Sequence, residues 1–121
     1  MTAPRFAAYT TGGGVVATAG IAALDPATLR PLHDDFAGQA RWTLARLDAV
    51  LAEAGAGDLL RVECFLADRS LFAAWNDCFA AHFGARAPAR TTLVCGLPVA
   101  GLLIELQALA ALPHDNGRNA T

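Results

Sequence analysis

Two charged residues near the C-terminal end of the sequence stand in segments that are otherwise uncharged. Arg90 lies in Pro-Ala-Arg-Thr-Thr, and Glu105, 15 residues later, is the only charged residue in Leu-Leu-Ile-Glu-Leu. An isolated buried charge is very costly, so a carboxylate in a buried strand must be paired, hydrogen-bonded or shifted towards its neutral form. A carboxyl with a raised pKa can exchange protons near neutral pH. Glu105 is therefore the first functional candidate, and Arg90 is its candidate companion.

The composition limits the domain organisation and the partners of the chain. A sequence of 121 residues with 55% hydrophobic residues fits one domain that fills its core without metal or disulfide bonds. The formal charge is -2, with acids and arginines interleaved, so there is no basic stripe to follow a phosphate backbone. We therefore expect no nucleic-acid partner. Lysine is absent, which excludes a Schiff-base lysine and the lysine of a P-loop.

Neither cysteine nor histidine shows the spacing of a metal site. The cysteines are odd in number and have no close pairs, which predicts reduced, mostly packed thiols rather than disulfides or zinc ligands. They are Cys64, Cys78 and Cys95. The histidines are predicted to be surface or packing residues. They are His33, His82 and His114. We expect no metal.

An uncharged stretch from Phe6 to Leu24 superficially resembles a signal peptide. A glycine triplet interrupts it, and the remaining apolar part, residues 15–24, is too short to span a bilayer. It continues into a turn at Asp25 and Pro26. The sequence thus predicts a cytoplasmic protein without a membrane partner.

The first half of the chain predicts a β-hairpin and then a helix. Residues 5–10 and 15–20 are short extended segments, and the glycine triplet between them suits a tight reversal. The aspartates at 34–35 can cap a helix whose apolar residues follow the 3.6-residue period from Phe36 to Ala54. Gly55 supplies the end of this helix.

The middle of the chain predicts a strand and a second helix. Residues 60–67 show the period-two alternation of a strand with distinguishable faces. Ser70 is the predicted cap of a helix that ends at Gly84. One face of this helix carries an aromatic stripe, which we expect to pack in the core rather than to form a cofactor site. The stripe consists of Phe72, Trp75, Phe79 and Phe83.

Two further strands complete the predicted domain. Pro88 breaks the connection, residues 90–95 form one strand, and the turn at 96–98 leads to the apolar strand at 102–110. The domain is predicted to span residues 1–112. Residues 113–121 are polar, with almost nothing to bury, and are predicted to form a disordered tail.

The resulting order, β-β-α-β-α-β-β, predicts an α+β domain with two amphipathic helices on one face of a single sheet. The other face must also be covered, because the strand at 102–110 is apolar on both sides. We therefore predict a homo-oligomer in which other subunits bury that face.

Ordered segments of the first two thirds resemble the RidA/YjgF family of imine deaminases. Residues 16–26 are similar to the family's second-strand segment with its Asp-Pro turn, and residues 39–55 resemble its first helix. Asn76 stands where the family's second helix has an asparagine. Each of these likenesses is weak alone.

The strongest likeness to the RidA/YjgF family lies near the C-terminal end. Residues 88–92, the Leu-Pro pair at 97–98 and residues 104–108 resemble its arginine and glutamate motif, with Arg90 and Glu105 at the expected separation. The ordered set is specific and covers nearly the whole chain up to residue 112.

This resemblance implies a homotrimer with a chorismate-mutase-like, ferredoxin-like fold and clefts between the subunits. From the residues alone, the last two strands would pair as a hairpin, since sequential strands are often neighbours. The family's last strand is instead central and separated from the arginine strand by the middle strand. A central position also explains the apolar character of residues 102–110 on both faces. We therefore expect Arg90 and Glu105 to meet across a subunit interface.

The resemblance also implies a reaction without a cofactor. Arg90 would hold the carboxylate of a 2-imino or enamine acid such as 2-aminoacrylate, a role that suits a planar, bidentate cation. Glu105 would position water for attack at the imine carbon, which gives a 2-keto acid and ammonium. The further predicted substrate-binding residues are Thr92, Gly20, Ile21 and Asn76.

Several alternatives stay open on the sequence alone. Arg90 and Glu105 can instead belong to a structural ion pair, and Asn76 can bond nearby backbone groups. Ala19 and Ile21 stand where typical imine deaminases carry serine and glutamine, and Thr92 stands where many have cysteine. A less polar pocket of this kind suits a bulkier substrate, or a non-catalytic trimer that binds or senses a small carboxylate metabolite. An endoribonuclease, as some relatives are labelled, fits poorly with the charge balance.

Overall fold

The element order predicted from the sequence is confirmed in a computed structural model, which describes residues 5–113. The elements in chain order are β1 Tyr9–Gly12, β2 Val15–Thr18, α1 Phe36–Glu53, β3 Leu59–Leu66, α2 Phe72–Phe83, β4 Ala89–Val94 and β5 Ile104–Ala111. The strands form one five-stranded sheet in the order β1-β2-β5-β3-β4. Only the β3 and β4 pair is parallel, as expected for strands joined through a helix. The α+β fold is as predicted.

The first strand of the N-terminal hairpin lies later in the chain than predicted, and the second begins at Val15 as predicted but ends at Thr18 instead of residue 20. Gly13 and Gly14 both have positive φ, 59° and 80°, which is what a two-residue type I′ turn requires. Gly12 therefore pairs directly with Val15, and β1 extends to the turn instead of ending at residue 10. The predicted first strand, residues 5–10, is wrong at both ends, because the pairing register is fixed by the turn.

An aspartate caps α1 directly, whereas α2 has no side-chain cap of its own and follows a 3-10 turn that an aspartate caps. Asp35 accepts a hydrogen bond from the Gly38 N–H at 3.4 Å at the start of α1, as predicted. The prediction of Ser70 as the cap of the second helix is wrong. Asp68 accepts from the Ser70 backbone N–H at 2.8 Å and opens a single 3-10 turn, Arg69–Leu71, from which α2 continues.

The last strand occupies the centre of the sheet, between β2 and β3. Its pairing with β3 runs from Ile104 to Ala110, so β4 is separated from β5 by β3, as expected. β5 starts at Ile104 rather than at Leu102. Both helices lie on one face, where they bury Val62, Cys64 and Leu106 completely.

The opposite face of the sheet carries no helix in the described part of the chain. Leu93 of β4 is 52% exposed and Leu109 of β5 is 38% exposed. The burial of this face by other subunits stays a prediction. The domain limits also stay a prediction, and the predicted tail lies outside the described residues except for Pro113. Within residues 5–113, neither helix combines the length and the hydropathy that a membrane crossing requires.

The cysteines within the described residues are all free thiols, as predicted. Cys64 is buried and Cys78 is half-buried. Cys95 is exposed, so the prediction of packing is wrong for this residue, which follows the end of the edge strand β4.

Candidate functional site

Arg90 lies on the edge strand β4, with its side chain on the face that the helices cover. It pairs in register with Val62, which is buried beneath the helices, and directly paired residues share a face of the sheet. Its Nη2 donates to Asn76 Oδ1 of α2 at 2.8 Å. Its guanidinium carbon lies 4.8 Å from the ring centre of Phe79 and 5.8 Å from that of Phe72. Helix α2 thus gives Arg90 one neutral acceptor and two aromatic rings.

The charge of Arg90 is not compensated by an acid within residues 5–113. Neither of the two salt bridges in that range involves Arg90. The structural ion pair with Glu105 is therefore not formed within one chain, and Asn76 bonds the arginine instead of nearby backbone. A guanidinium has five N–H donors, of which Asn76 accepts one. The remaining donors are suited to bind an anion.

Thr92 lies two residues after Arg90 on β4, so its side chain faces the same helix. The Nε1–H of Trp75, a fully buried residue of α2, donates to Thr92 Oγ1 at 3.3 Å. Trp75 and Asn76 are consecutive residues. Two adjacent residues of α2, Trp75 and Asn76, thus form hydrogen bonds with two alternate residues of β4, Thr92 and Arg90.

Glu105 lies on the opposite face of the sheet. Its neighbours Ile104 and Leu106 are buried beneath the helices, so the alternation of β5 directs Glu105 to the face without helices. The side chain is half-buried and packs against Gly20, where an added Cβ would overlap Oε2 and lie 3.3 Å from Cδ. The lack of a side chain at Gly20 therefore leaves the space that the Glu105 carboxyl occupies.

Burial raises the pKa of the Glu105 carboxyl above its usual value of 4.5. No group within residues 5–113 donates a hydrogen bond that would offset this effect. The shift agrees with the sequence argument that a carboxyl in this strand is pushed towards its neutral form. A raised pKa brings Glu105 closer to the range in which a carboxyl can both accept and return a proton.

The thiol nearest to the arginine is not a nucleophile. Cys64 on β3 pairs in register with Thr92, and burial raises the pKa of its thiol to about 12, although the Arg90 charge lowers it. A thiol with that pKa stays protonated at neutral pH, whereas the thiolate is the reactive form. In addition, no group of three or more potential metal ligands occurs within residues 5–113.

Gly20 and Ile21, in the segment beside Glu105, differ in the use of their backbone N–H groups. Ile21 exchanges two backbone hydrogen bonds with Leu106, at 2.7 and 3.0 Å, and its side chain is buried in the core. Its N–H is therefore occupied, so Ile21 fixes the position of Gly20 and has no backbone donor for a ligand. Within residues 5–113 the Gly20 N–H has no acceptor.

Arg90 and Glu105 do not meet within one chain. They lie on opposite faces of the sheet, and β3 separates their strands. The cavity beside Gly20, of about 320 Å³, is lined by neither of them. The candidate residues thus form two separate groups, which we call half-sites. One consists of Arg90 with Asn76 and Thr92, and the other of Glu105 with Gly20.

Sequence reasoning missed the contacts that hold these half-sites. It assigned the whole aromatic stripe of α2 to the core, which is correct for Trp75, Phe79 and Phe83 but wrong for Phe72, which is 46% exposed. It did not predict that the rings of Phe72 and Phe79 lie beside the guanidinium of Arg90. The position of Asn76 between these two rings on one helix face was the available signal. It also missed buried Gln39, which donates to the carbonyls of His33 and Gly101 and accepts from the Leu103 N–H. These bonds attach the start of β5 to α1.

Comparison with known proteins gives consistent similarities along most of the chain. The family model described as endoribonuclease L-PSP matches residues 1–112. A RutC family protein of Synechocystis is 36% identical over 104 residues, which cover 83% of this chain and 80% of that protein. A Mycobacterium tuberculosis member of the YjgF/YER057c/UK114 family is 27% identical, with a TM-score of 0.77 over 88% of this chain and 86% of the other. A Rid family protein of Yersinia pestis, 24% identical, has the same fold, with a TM-score of 0.81 over 92% of this chain and 90% of the other.

Proposed function

This chain belongs to the endoribonuclease L-PSP family, which includes the RutC and RidA/YjgF proteins, and from that membership we propose that it is a hydrolytic deaminase of reactive 2-imino and enamine acids. The proposed substrates are compounds such as 2-aminoacrylate and 2-iminopropanoate. The products are a 2-keto acid and ammonium. The proposed reaction uses no cofactor, because a protonated imine is already electrophilic and needs only oriented water.

The observation that carries the proposal is the uncompensated charge of Arg90. This cation is held by a neutral amide and two rings and has no acidic partner among the residues that the structure describes, so its remaining N–H donors can bind an incoming carboxylate. This suits a 2-imino acid, whose carboxylate is adjacent to the reacting carbon. Asn76 fixes the guanidinium plane, so the carboxylate is held in one orientation.

Glu105 is proposed to act on the water. In this mechanism its carboxylate accepts a proton from water as the water oxygen bonds to the imine carbon. The protonated carboxyl then returns the proton to the amino nitrogen. As the C–N bond breaks, the carboxylate takes the proton of the new hydroxyl group, the 2-keto acid forms, and the leaving ammonia accepts that proton and departs as ammonium. The raised pKa of the Glu105 carboxyl supports this exchange, because a carboxyl whose pKa lies closer to neutral pH can both accept and return a proton.

A complete site requires a second copy of the chain, since Arg90 and Glu105 lie on opposite faces of one sheet. We include in the proposal a homotrimer whose clefts combine Arg90 of one subunit with Glu105 of the next. The exposed apolar residues Leu93 and Leu109 support an interface on the face without helices. The proposed location is the cytoplasm.

The test is an assay of imine decay. An amino-acid oxidase or a dehydratase generates the imine in situ, and the purified protein is expected to accelerate the release of ammonia and keto acid. Protein heated until it has lost its folded structure serves as the control. The proposal would be contradicted if, with the folded protein present, 2-aminoacrylate and 2-iminopropanoate both decayed at the same rate as with the heated control.

A non-catalytic binder of a small carboxylate metabolite is the second candidate. It is favoured by Ala19, which offers no hydroxyl beside Gly20, and by the Glu105 carboxyl, which no hydrogen bond from residues 5–113 orients. A thermal shift by 2-keto acids without turnover of any imine, including bulkier ones, would support this candidate. The same preparation is expected not to retain RNA at low salt, because the chain lacks a basic stripe.

The substitution Gly20→Ala is expected to lower kcat about 100-fold and to leave the fold intact. A methyl group at this position displaces the Glu105 carboxyl, and a misplacement of about 1 Å can cost a factor of 100. The carboxyl is the end of a flexible side chain, so it moves without disturbing the strand. The measurement is the steady-state rate together with the melting temperature.

Gly12→Ala is the matched control for Gly20→Ala. It adds the same methyl group where no atom lies within 4 Å and where φ is not positive. The control is expected to keep its rate. Equal rates in the two variants would show that the contact between Gly20 and Glu105 does not matter for the reaction.

A further inference from the structure

Thr92 differs from most threonines on a strand because its hydroxyl group accepts from a fixed donor. The indole N–H of Trp75 donates to Oγ1 at 3.3 Å, and Trp75 is held in place by complete burial. An indole nitrogen is a donor only, so it occupies one lone pair of the hydroxyl group and cannot accept its proton. Within residues 5–113, no acceptor receives that proton.

The hydroxyl of Thr92, whose proton no group within residues 5–113 accepts, lies on the same side of β4 as Arg90. The two side chains are separated by one residue along the strand, and both face α2. The consecutive residues Trp75 and Asn76 hold them from the helix, one as a donor and one as an acceptor. The free groups that result, the Thr92 O–H and the remaining guanidinium N–H groups, are all donors.

We propose that Trp75 is a positioning residue, which fixes the Thr92 hydroxyl as a second donor, beside Arg90, to the carboxylate of the substrate. This inference rests on the proposed role of Arg90 as a carboxylate anchor. A hydroxyl group that is free to rotate can present either a lone pair or a proton to an anion. The indole N–H selects the orientation in which the proton faces the anion, and it does so before the ligand binds.

The test uses two substitutions at Thr92, one that removes the hydroxyl group and one that keeps it. Thr92→Val keeps the shape and replaces the hydroxyl by a methyl group, and Thr92→Ser keeps the hydroxyl and removes the methyl group. A hydrogen bond to a charged carboxylate contributes about 1.5 to 3 kcal/mol, which corresponds to a rise in KM of about 10- to 100-fold in Thr92→Val. We expect little change in kcat, because the carboxylate is bound equally in the ground state and the transition state. Thr92→Ser is expected to recover most of the affinity.

Trp75→Phe tests the positioning role. The substitution removes the indole donor and is expected to raise KM about 3- to 10-fold in the wild-type background. In a protein that already carries Thr92→Val, it is expected to leave KM unchanged, because the hydroxyl group that the indole positions is then absent. A purely structural role of the tryptophan would change the melting temperature and leave KM and its dependence on Thr92 unchanged. Should Trp75→Phe fail to fold, the comparison of Thr92→Val with Thr92→Ser still decides the donor role of Thr92.

Pyruvate binding by calorimetry separates this inference from the proposed function. If pyruvate binds more weakly to Thr92→Val and normally to Thr92→Ser while no imine is turned over, the donor pair stands and the deaminase proposal fails. If imines are turned over and neither KM nor pyruvate affinity changes in Thr92→Val, the inference is overturned and the deaminase proposal stands. Equal losses in Thr92→Val and Thr92→Ser would also overturn it.

Discussion

Arg90→Ala is expected to abolish the acceleration of imine hydrolysis, and Arg90→Lys is expected to restore only a small part of it. Removal of one partner from a desolvated, hydrogen-bonded charge pair costs about 2 to 5 kcal/mol, which is a loss of about 30- to 5000-fold in kcat/KM. Lysine keeps the charge but lacks the planar fork, so it cannot bind the carboxylate through two parallel bonds or donate to Asn76 at the same time. The turnover of 2-iminopropanoate is measured by steady-state kinetics, and the binding of the carboxylate is measured by calorimetry with pyruvate.

The matched control for Arg90→Ala is Arg41→Ala. Arg41 is an exposed arginine on α1, so the control changes the net charge by the same amount without touching β4. It is expected to keep normal kinetics. Wild-type rates in Arg90→Ala, with the melting temperature preserved, would remove Arg90 as the anchor. Weak pyruvate binding with normal turnover would instead show that Arg90 serves another ligand.

The orientation of β4 shows why the candidate site could be predicted only in part. Alternation along β5 puts Ile104 and Leu106 beneath the helices and Glu105 on the other face, whereas the sequence indicated only a strand that is apolar on both sides. On β4 the same rule favours burial of Leu93, yet Leu93 is 52% exposed and Arg90 faces the helices. The polar face turns inward because side chains of α2 satisfy it. Those contacts join residues 14 to 17 positions apart in the sequence, so the alternation of apolar and polar residues within one strand cannot predict them.

Element boundaries depended on hydrogen bonds that the sequence only suggests. The end of α1 and the positive φ of 67° at Gly55 followed directly from a glycine after a periodic apolar segment. The start of α2 did not, because the helix continues from a 3-10 turn that Asp68 caps and has no side-chain cap of its own. The central place of β5 came from the family resemblance. Its apolar character on both faces supports that place, but also fits an edge strand at an interface.

The two half-sites have different physical roles in the folded chain. Arg90 contacts the amide of Asn76 and two aromatic rings of α2, and these contacts contribute to the packing of α2 on β4. Glu105 receives no such support, and the adjacent Gly20 supplies only space. A residue that costs stability where it stands is a stronger functional candidate than one that is also a structural element. This difference makes stability measurements on Glu105 informative about function.

Glu105→Gln is expected to lower kcat by about 100- to 10,000-fold and to stabilise the protein at neutral pH. The kinetic loss is that expected on removal of a general acid and base. The stability gain follows from burial, which raises the pKa of Glu105 above 4.5 in the folded state. The folded state then binds the proton more tightly than the unfolded state. The favourable contribution of the neutral carboxyl is present in full below the unfolded pKa and is lost as the pH rises through the folded pKa.

Melting temperatures measured between pH 4 and pH 8 at one protein concentration test the sign. The wild type is expected to lose stability relative to Glu105→Gln as the pH rises, because glutamine does not ionise. Glu53→Gln, at the exposed end of α1, is the control for the loss of one acid and is expected to follow the wild type. A parallel pH dependence in Glu105→Gln and the wild type would show that the carboxyl is not destabilised by ionisation. A loss of stability in Glu105→Gln at neutral pH would identify Glu105 as a structural residue, since only a favourable partner of the carboxylate could produce it.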